Sequence, residues 1–269
     1  MTPRFILACR SRGRYDAPMS EYGGYTYGSS FPLKRWLHRR RFEEAIHILS
    51  LSSDDTLLDY GCGDGFLLKQ IMDRDLLPGR QLVGYEPAEV MYQQCKAQLA
   101  GTDAKIVSTL SSISNQIFSR VCCLETCEHL SDTVLADVLN DVAGSVKTDG
   151  MAVISVPVEI GIPALLKNTF RYFKNPKGRG LTLKKFIQAF LGLKIDRGEA
   201  GELSDLPYYY SHIGFDYRVF KQKLEQYLVI DAVTYSPLHI LGPFLGMTVY
   251  YTCTRRPTGS HDRLQEQRS

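Results

Sequence analysis

The chain has 269 residues, with 32 Lys and Arg against 29 Asp and Glu, so its net charge is +3. This length makes one large domain or two small ones and is enough to bury a sizeable core. Hydrophobic residues at 44% and charged residues at 23% exclude a globally disordered or collagen-like chain. So small a net charge does not indicate nucleic acid, and no nucleic-acid partner is expected.

The cysteines and the apolar segments bear on where the protein works. Seven cysteines cannot all pair within one chain, so we expect reduced thiols and a cytoplasmic location. The start of the chain up to Cys9 resembles a lipoprotein signal, but its apolar part is too short and Arg10 follows at once. The long uncharged run at 232–254 contains prolines and glycines, which break a membrane helix and predict two strands joined by a turn.

The two ends of the chain differ in pattern from the middle. Residues 1–30 look irregular, and the polar tail at 255–269 is predicted to be disordered. From Pro32 onwards apolar residues recur at helical spacing and predict a helix over 33–49. We therefore expect one folded domain over residues 31–254.

Short apolar strands then alternate with helical stretches. The predicted strands are 56–60, 81–85, 105–109, 121–124 and 150–156, and the helices between them are 66–73, 88–99 and 133–146. Strands that alternate with helices imply right-handed crossovers and a parallel sheet covered by helices on both faces. The sequence thus predicts a doubly wound α/β domain.

The pattern changes after the fifth strand. Residues 160–210 are predicted to form an insertion with helices at 160–174 and 181–193; a helix at 215–227 and strands at 228–235 and 247–254 follow. The segment 160–179 is apolar but carries basic residues, which suits peripheral contact with a membrane or a lid over a hydrophobic ligand. Lys167, Arg171 and Arg179 could meet an anionic group.

The strongest local motif is the segment LLDYGCGDGF at 57–66, in which a strand turns through three glycines into a helix. Glycines at this spacing let the backbone turn tightly and approach a ligand. The dinucleotide fingerprint needs Gly-x-Gly-x-x-Gly, but bulky Phe66 stands where its third glycine belongs. Asp59 and Asp64 would also repel a pyrophosphate, and they suit a ligand with an ammonium or sulfonium charge.

A second carboxylate lies at the end of the next strand. Glu86 follows Gly65 by 21 residues and precedes Pro87. An acid at this distance from a glycine loop can accept hydrogen bonds from both ribose hydroxyls of an adenosine. We therefore predict that Glu86 binds a ribose.

With these two motifs, three later segments complete a resemblance. They are residues 121–130 (VCCLETCEHL), residues 146–157 (VKTDGMAVISVP) and residues 212–215 (HIGF). Together these segments make residues 40–254 resemble the class I S-adenosylmethionine-dependent methyltransferases. Within that class, the chain resembles the small-molecule and quinone O-methyltransferase-like branch.

The resemblance implies a fold, a cofactor and a set of binding residues. The sheet should have seven strands in the order 3-2-1-4-5-7-6, with the last strand antiparallel and a helical insertion after the fifth. The cofactor should be S-adenosylmethionine. Its implied contacts are Asp59, Gly61, Cys62, Gly63, Gly65 and Phe66 for the methionine part, Glu86 and Pro87 for the ribose, Thr109 and Leu110 for the adenine, and Leu124 and Glu125 near the sulfonium.

Two histidines are candidates for the chemistry. His129 and His212 are the plausible general bases, because imidazole titrates near neutrality. His212 comes just before a helix, at the expected mouth of the acceptor pocket. The spacing of Cys123, Cys127 and His129 does not complete a four-ligand zinc site, so no metal is predicted.

The function expected from these residues is methyl transfer to a small-molecule, glycan-linked or lipid-linked acceptor at oxygen, with the insertion as the acceptor-binding cap. Two alternatives remain open. One is a nicotinamide-dependent oxidoreductase, and the other is an inactive protein that keeps the cofactor-binding fold. The oligomeric state is left open.

Overall fold

The computed structural model describes residues 32–174, 182–198, 200–203 and 206–256. The predictions of an irregular segment at 1–30 and of a disordered tail therefore fall almost wholly outside the described residues. Residues 255 and 256 are described, and Arg255 is the last residue of a strand, so that part of the predicted tail is ordered.

The strands are β1 (Leu57–Tyr60), β2 (Leu82–Tyr85), β3 (Lys105–Val107), β4 (Phe118–Leu124), β5 (Val146–Pro157), β6 (Gly201–Leu203), β7 (Leu206–Tyr208), β8 (Leu228–Ser236) and β9 (Thr248–Arg255). Seven of them form one sheet in the order β3-β2-β1-β4-β5-β9-β8. The first five are parallel, and β9 is antiparallel to both of its neighbours. The predicted order and the antiparallel last strand are confirmed.

The helices are α1 (Pro32–Leu49), α2 (Phe66–Asp73), α3 (Glu89–Gln98), α4 (Asp132–Ser145), α5 (Gly161–Lys174), α6 (Leu183–Leu191) and α7 (Tyr217–Leu224). Most of their ends lie within two residues of the predicted ones. Short 3₁₀ turns join several elements, at Gly79–Gln81, Leu110–Ile113, Cys127–His129 and His239–Phe244.

Alternate residues of the central strands build two separate core layers. Leu57 and Cys122 face one side of the sheet and pack with α1, α2 and α3. Leu58 and Cys123, their neighbours in the chain, face the other side and pack with α4 and α7. This alternation follows from the two-residue period of a strand, and burial of both faces explains why the strands are apolar throughout.

The uncharged run at 232–254 lies within β8, β9 and the turn between them, as its prolines and glycines predicted. Among the described helices, none is both long and apolar enough to span a bilayer. The insertion contains α5 and α6, and it also contains the small antiparallel hairpin of β6 and β7, which the sequence did not predict.

The insertion is anchored near the carboxyl ends of the central strands. A small apolar cluster of Ala164, Ala189, Ile195 and Ile213 joins α5 and α6 to the segment just after His212. The backbone of Leu130, which follows β4, also pairs with Tyr208 at the end of β7. These contacts place the insertion beside the edge where open α/β sheets bind their ligands.

Candidate functional site

The loop between β1 and α2 has a backbone shape that only glycine adopts easily. Gly61 and Gly65 have φ angles of 77° and 80°, in the left-handed region. A Cβ atom on Gly61 would lie 2.7 Å from Thr126 Oγ1, and one on Gly65 would lie 2.7 Å from Cys95 Sγ. The loop is therefore packed closely against the turn after β4 on one side and against α3 on the other.

The middle glycine faces open space instead. Gly63 has a φ of 57°, and the nearest atom to a Cβ placed on it is Met91 Cε, at 3.7 Å. Its amide N–H donates to Glu86 Oε2 at 2.9 Å. The loop thus holds a gap above Gly63 that a ligand can occupy, bordered by the carboxylate at the end of β2.

The Glu86 carboxylate, predicted to bind a ribose, is held in place by backbone hydrogen bonds at the end of β2. Its side chain is 8% exposed, and Oε1 accepts from the backbone N–H of Ala88 at 2.9 Å. Burial raises the pKa of Glu86, while the two backbone N–H donors oppose the rise. Each carboxylate oxygen accepts one backbone bond and keeps a second lone pair for a hydroxyl group.

Asp59, at the end of β1, is the most deeply placed carboxylate of the loop. Its residue is 3% exposed, and the Cys122 thiol donates to Oδ1 at 3.3 Å. Burial raises the pKa of Asp59 to about 7; Glu86 and Asp64 add to the rise and the Cys122 thiol counteracts it. A buried carboxylate among other carboxylates favours a cationic ligand group.

Two further residues of the loop have structural neighbours. The buried thiol of Cys62 lies 3.8 Å from Cys95 Sγ, and burial together with that neighbour raises its pKa well above the usual range. The half-buried ring of Phe66 lies 5.0 Å, centroid to centroid, from Phe42 of α1. Helix α1 therefore lies against the start of α2, beside the glycine loop.

The residues predicted to flank the adenine lie just beyond β3. Thr109 is exposed, and its hydroxyl lies 3.1 Å from Ser112 Oγ. Leu110 is half-buried and packs against the core, and Pro87 is half-buried after Glu86. These three residues lie at the ends of adjacent parallel strands, so they share one edge of the sheet with the glycine loop.

Glu125 has an unusual backbone. It follows Leu124, the last residue of β4, and has a φ of 52°, which non-glycine residues rarely adopt. Its N–H donates to Ser155 O at 3.0 Å, and its Oε2 forms an ion pair with Arg41 Nη1 at 2.9 Å. Arg41, which the sequence analysis did not single out, thereby links α1 to the turn beside the glycine loop.

The two predicted histidines meet, although 83 positions separate them in the chain. His129 Nε2 and His212 Nε2 lie 3.2 Å apart. Glu128 Oε1 lies 3.8 Å from the first and 4.0 Å from the second. Glu128 is completely buried, and its burial raises its pKa well above the usual value.

The other ring nitrogens of the pair are also engaged. His129 Nδ1 lies 2.7 Å from the carbonyl oxygen of Tyr209, and the ring stacks on Tyr208 with centroids 4.6 Å apart. His212 Nδ1 lies 3.8 Å from Glu159 Oε1. Burial, and then the nearby His212, lower the pKa of His129 to about 3, so it is neutral at physiological pH.

The cations expected to meet an anionic ligand are occupied within the protein. Arg171 Nη1 lies 2.6 Å from Glu159 Oε2, and Lys167 Nζ lies 3.1 Å from Glu159 Oε1. Burial alone would raise the pKa of Glu159, but Lys167 and Arg171 hold it well below its usual value. The expectation for Lys167 and Arg171 is therefore wrong, and Arg179 lies outside the described residues.

Arg197 is a further residue that sequence reasoning missed. Its Nη2 donates to Glu128 O at 2.6 Å and to Ser211 O at 3.0 Å. Its guanidinium carbon lies 4.0 Å from the centroid of the Tyr209 ring. Arg197 thus fastens the backbone next to His129 to the backbone next to His212.

Cys123 in β4 and Cys127 in the turn after it are not part of this cluster. Cys123 Sγ and Cys127 Sγ lie side by side in the core, 3.7 Å apart, and both residues are buried. All six cysteines within the described residues are free thiols, as expected for a reducing compartment.

Comparisons with known proteins agree with this geometry. Residues 33–188 match the family described as a methyltransferase domain, and the chain belongs to that family. Among curated protein sequences none matches the chain.

Three solved structures share the fold at low identity. An S-adenosylmethionine-dependent methyltransferase from Clostridium acetobutylicum is 12% identical over 88% of this chain and 97% of its own, with a TM-score of 0.52. Magnesium protoporphyrin IX methyltransferase from Synechocystis, solved with bound SAH, is 13% identical over 86% and 92%, with a TM-score of 0.51. A protein from Pyrococcus horikoshii is 12% identical over 89% and 100%, with a TM-score of 0.55.

The protein is thus a class I S-adenosylmethionine-dependent methyltransferase. The open space above Gly63, the buried carboxylate of Asp59 and the fixed carboxylate of Glu86 fit its cofactor, S-adenosylmethionine. The nicotinamide alternative is excluded by this assignment. The resemblance to the quinone O-methyltransferase-like branch stays a prediction.

Proposed function

We propose that this enzyme methylates an oxygen of a small-molecule, glycan-linked or lipid-linked acceptor. The observation that carries the proposal is the cluster of Glu128, His129 and His212, which begins two residues after the Thr126 side chain that borders Gly61. The cofactor loop and a set of proton-accepting atoms therefore share one short turn.

The residues on the cofactor side have separate roles in this proposal. Asp59 and the loop from Gly61 to Phe66 hold the methionine part, Glu86 and Pro87 hold the ribose, and Thr109 and Leu110 flank the adenine. Leu124 and Glu125 lie at the reacting end. When bound, S-adenosylmethionine supplies a methyl group made electrophilic by its sulfonium charge, and the protein has to position the acceptor in line with it.

The cluster on the acceptor side favours an acceptor that brings a proton. His129 is held neutral, and the Glu128 carboxylate is buried beside both imidazole rings. His212 and the Glu128 carboxylate can accept a hydroxyl proton, which an oxygen acceptor must lose before or during methylation. The low pKa of His129 makes its ring a poor proton acceptor, so its role is to orient His212. The His212 side chain is 26% exposed, against 16% for His129 and 0% for Glu128, so His212 is the member of the cluster best placed to meet an acceptor from solvent.

A direct test compares matched acceptors that differ only in the reacting atom. Phenols, sugar hydroxyls and the corresponding amines are incubated with the full chain and isotopically labelled S-adenosylmethionine, and the products are located by mass spectrometry. Label on oxygen supports the proposal. Label found only on nitrogen or carbon, with normal binding of S-adenosylhomocysteine, would show that the acceptor assignment is wrong.

The insertion carries an exposed apolar face, defined here as Ile162, Leu166, Phe170, Leu183, Ile187, Phe190, Ile240 and Phe244. The first three recur every four residues along α5, and the next three belong to α6. Helix α5 packs against both α6 and the turn His239–Phe244, so the three elements that carry these side chains are neighbours in the fold. Monomeric soluble proteins rarely expose so many large apolar side chains together.

We infer that this apolar face meets an anionic lipid surface, which favours a hydrophobic or lipid-linked acceptor. Exposed Lys184 and Lys194 lie on and just after α6. Basic residues around an apolar face are typical of helices that lie in the membrane interface. The contact is peripheral, through the exposed side chains of α5, α6 and the turn His239–Phe244.

Vesicle sedimentation tests the lipid contact. We expect the protein to sediment with vesicles that contain phosphatidylglycerol and less with pure phosphatidylcholine. Ile187→Glu with Phe190→Glu should release it, whereas Val90→Glu, on exposed α3, should not. Equal sedimentation of all three proteins would contradict the inference.

A further inference from the structure

Three side chains on the acceptor side present their polar atoms to one point. His129 Nε2, His212 Nε2 and Glu128 Oε1 are 3.2, 3.8 and 4.0 Å apart. Within the described part of the chain, these three residues form the one group of His, Cys, Asp and Glu side chains that lie close enough together to share an ion. A circle through three points with these separations has a radius of about 2.1 Å, which is a typical zinc–nitrogen or zinc–oxygen distance.

The hydrogen bonds of the rings decide which nitrogens carry protons. His129 Nδ1 faces a carbonyl oxygen, Tyr209 O at 2.7 Å, so this nitrogen carries the hydrogen. His212 Nδ1 faces the carboxylate of Glu159, which favours a hydrogen there as well. Both Nε2 atoms then point lone pairs at each other. Imidazoles that bind metals are oriented in this way by a carbonyl or a carboxylate behind the ring.

Glu128 supplies a second, independent observation. Its side chain is completely buried, and neither carboxylate oxygen has a hydrogen-bond partner among the described residues. A buried carboxylate without a partner costs free energy. A single shared proton could satisfy one pair of these three atoms, but a cation at their centre would satisfy all three.

We propose that Glu128, His129 and His212 bind a divalent transition-metal ion of the Zn²⁺ type. Two imidazoles and one carboxylate suit such ions, whereas Mg²⁺ and Ca²⁺ prefer oxygen ligands alone. Three protein ligands leave a coordination position open, as in catalytic zinc sites. On the proposed function, which this role depends on, the open position would take the acceptor hydroxyl and lower its pKa. Because the three ligand atoms are then bound to the ion, the hydroxyl proton would leave to Glu128 Oε2, the carboxylate oxygen that is not a ligand, or to water.

The segment around the site is built to hold these ligands. Arg197 joins the backbone carbonyls of Glu128 and Ser211 and so fixes the distance between the two ligand-bearing segments. Glu159 is in turn held by Arg171 and Lys167 behind His212. Lys167 and Arg171, which the sequence analysis assigned to an anionic ligand, therefore hold Glu159, and Glu159 orients the His212 ring.

Metal binding is measured on the full chain after chelation and dialysis. We expect titration calorimetry with Zn²⁺ and elemental analysis to give one ion per chain, and Co²⁺ to give visible absorption bands from a nitrogen- and oxygen-ligated site. Millimolar Mg²⁺ should not displace either ion. Glu128→Gln and His212→Ala should each weaken Zn²⁺ binding by at least about tenfold, because loss of an outer hydrogen bond alone costs about 10–100-fold.

The control is His47→Ala, which removes an exposed histidine at the end of α1. Circular dichroism checks folding, and His212→Asn replaces His212→Ala if the latter does not fold. Equal Zn²⁺ binding by wild type, Glu128→Gln and the folded His212 variant would overturn the proposal, as would the absence of binding by wild type. S-adenosylhomocysteine binding, measured in parallel, tests the cofactor site separately, so the two failures are distinguishable.

Discussion

The proposed cofactor side and the proposed acceptor side of this enzyme are built in different ways. The proposed cofactor side comes from two continuous segments, residues 59–66 and 86–88, which are joined by hydrogen bonds from backbone N–H groups to Glu86. The acceptor side comes from single residues at 128, 159, 197 and 212, which meet through side chains. A site formed by a continuous stretch of backbone can be predicted from the sequence. A site formed by side chains that are distant in the chain can be recognised only once the fold is known.

The largest effect should come from breaking the acceptor side alone. His212→Ala is expected to lower turnover on the true acceptor by roughly 10²–10⁴, the range for loss of proton-transfer catalysis. Its affinity for S-adenosylhomocysteine should stay within a few-fold of wild type, because the loop at 59–65 is untouched. The measurement is steady-state turnover at saturating cofactor, with calorimetry for the affinity and His47→Ala as the control.

The reverse result would contradict the division between the two sides. If His212→Ala greatly weakened S-adenosylhomocysteine binding and left turnover at saturating cofactor intact, His212 would belong to the cofactor site. The proposed split between the segments would then be wrong.

Breaking the cofactor side should have the opposite signature. Gly63→Val places two methyl groups in the open space above the loop and forces a φ of 57° on a β-branched residue. We expect S-adenosylhomocysteine affinity to fall by more than about 100-fold, or about 2.8 kcal/mol. Gly144→Val, in α4, is the control, since no atom lies within 4 Å of its Cβ. Unchanged affinity in a folded Gly63→Val protein would refute the loop assignment.

The sheet was predictable because its signals are local. Residues 57–85 alternate strand, turn and helix, and each strand is apolar because both faces are buried. The order of the strands followed from the resemblance to a family, and even the uncharged run at 232–254 was correctly predicted as two strands from its prolines and glycines. The hairpin of β6 and β7 was missed, because three-residue strands leave almost no period to detect.

The acceptor side was predicted only in fragments. His129 and His212 were singled out for their chemistry, but nothing in the sequence placed them 3.2 Å apart. Glu128 was noted only as part of a turn, although its position beside His129 was a usable signal. Lys167 and Arg171 were assigned to an anionic ligand, because a sequence does not reveal that Glu159 is buried between them.

A smaller effect should come from Glu86, whose carboxylate both holds the backbone of the loop and, as proposed, binds the ribose. Glu86→Ala should weaken S-adenosylhomocysteine binding by about tenfold to a hundredfold, since charge-assisted hydrogen bonds contribute about 1.5–3 kcal/mol. Part of this loss comes from the backbone N–H groups of Gly63 and Ala88, which lose their acceptor. Glu86→Gln keeps one acceptor oxygen and should lose less.

Calorimetry with Glu89→Gln, an exposed neighbour on α3, provides the control for Glu86. A change below about threefold in Glu86→Ala would mean that this carboxylate shapes the loop without binding the ribose.

The pH dependence of the cofactor side should reveal Asp59. Its pKa is raised to about 7, so cofactor affinity should fall by roughly tenfold per pH unit below 7 as the carboxylate is neutralised. Stability should change in the opposite direction. A raised pKa means that the contribution of Asp59 to the ligand-free fold is fully present below about pH 4 and is lost as the pH rises through 7.

Two measurements on Asp59→Asn check the pH dependence of cofactor affinity and the pH dependence of stability. Calorimetry between pH 5.5 and 8.5 should show weak binding with a flatter profile than wild type, and thermal melts should lose part of their pH dependence. Identical slopes in the variant and wild type would mean that another group titrates, with Glu86 and Asp64 as the nearest candidates.

The smallest predicted effect concerns Arg197, which joins the two backbone segments of the proposed acceptor side. Arg197 donates through one terminal nitrogen to the carbonyls of Glu128 and Ser211 and stacks on the ring of Tyr209. Arg197→Lys keeps the charge but loses the planar group, and a lysine cannot stack in the same way. We expect a loss of about 1 kcal/mol in the free energy of unfolding, measured by urea denaturation.

Arg197→Lys should also show whether Arg197 positions the two histidines without contributing to cofactor binding. Because Arg197 fixes the spacing between the segments that carry His129 and His212, its loss should lower turnover and Zn²⁺ affinity by about fivefold, which corresponds to that 1 kcal/mol. S-adenosylhomocysteine affinity should not change, since no contact of Arg197 reaches the glycine loop. Lys221→Arg is a charge-conserving control, since the Lys221 side chain in α7 is 45% exposed. If Arg197→Lys lost stability but kept turnover and Zn²⁺ affinity, Arg197 would only support the fold of the insertion.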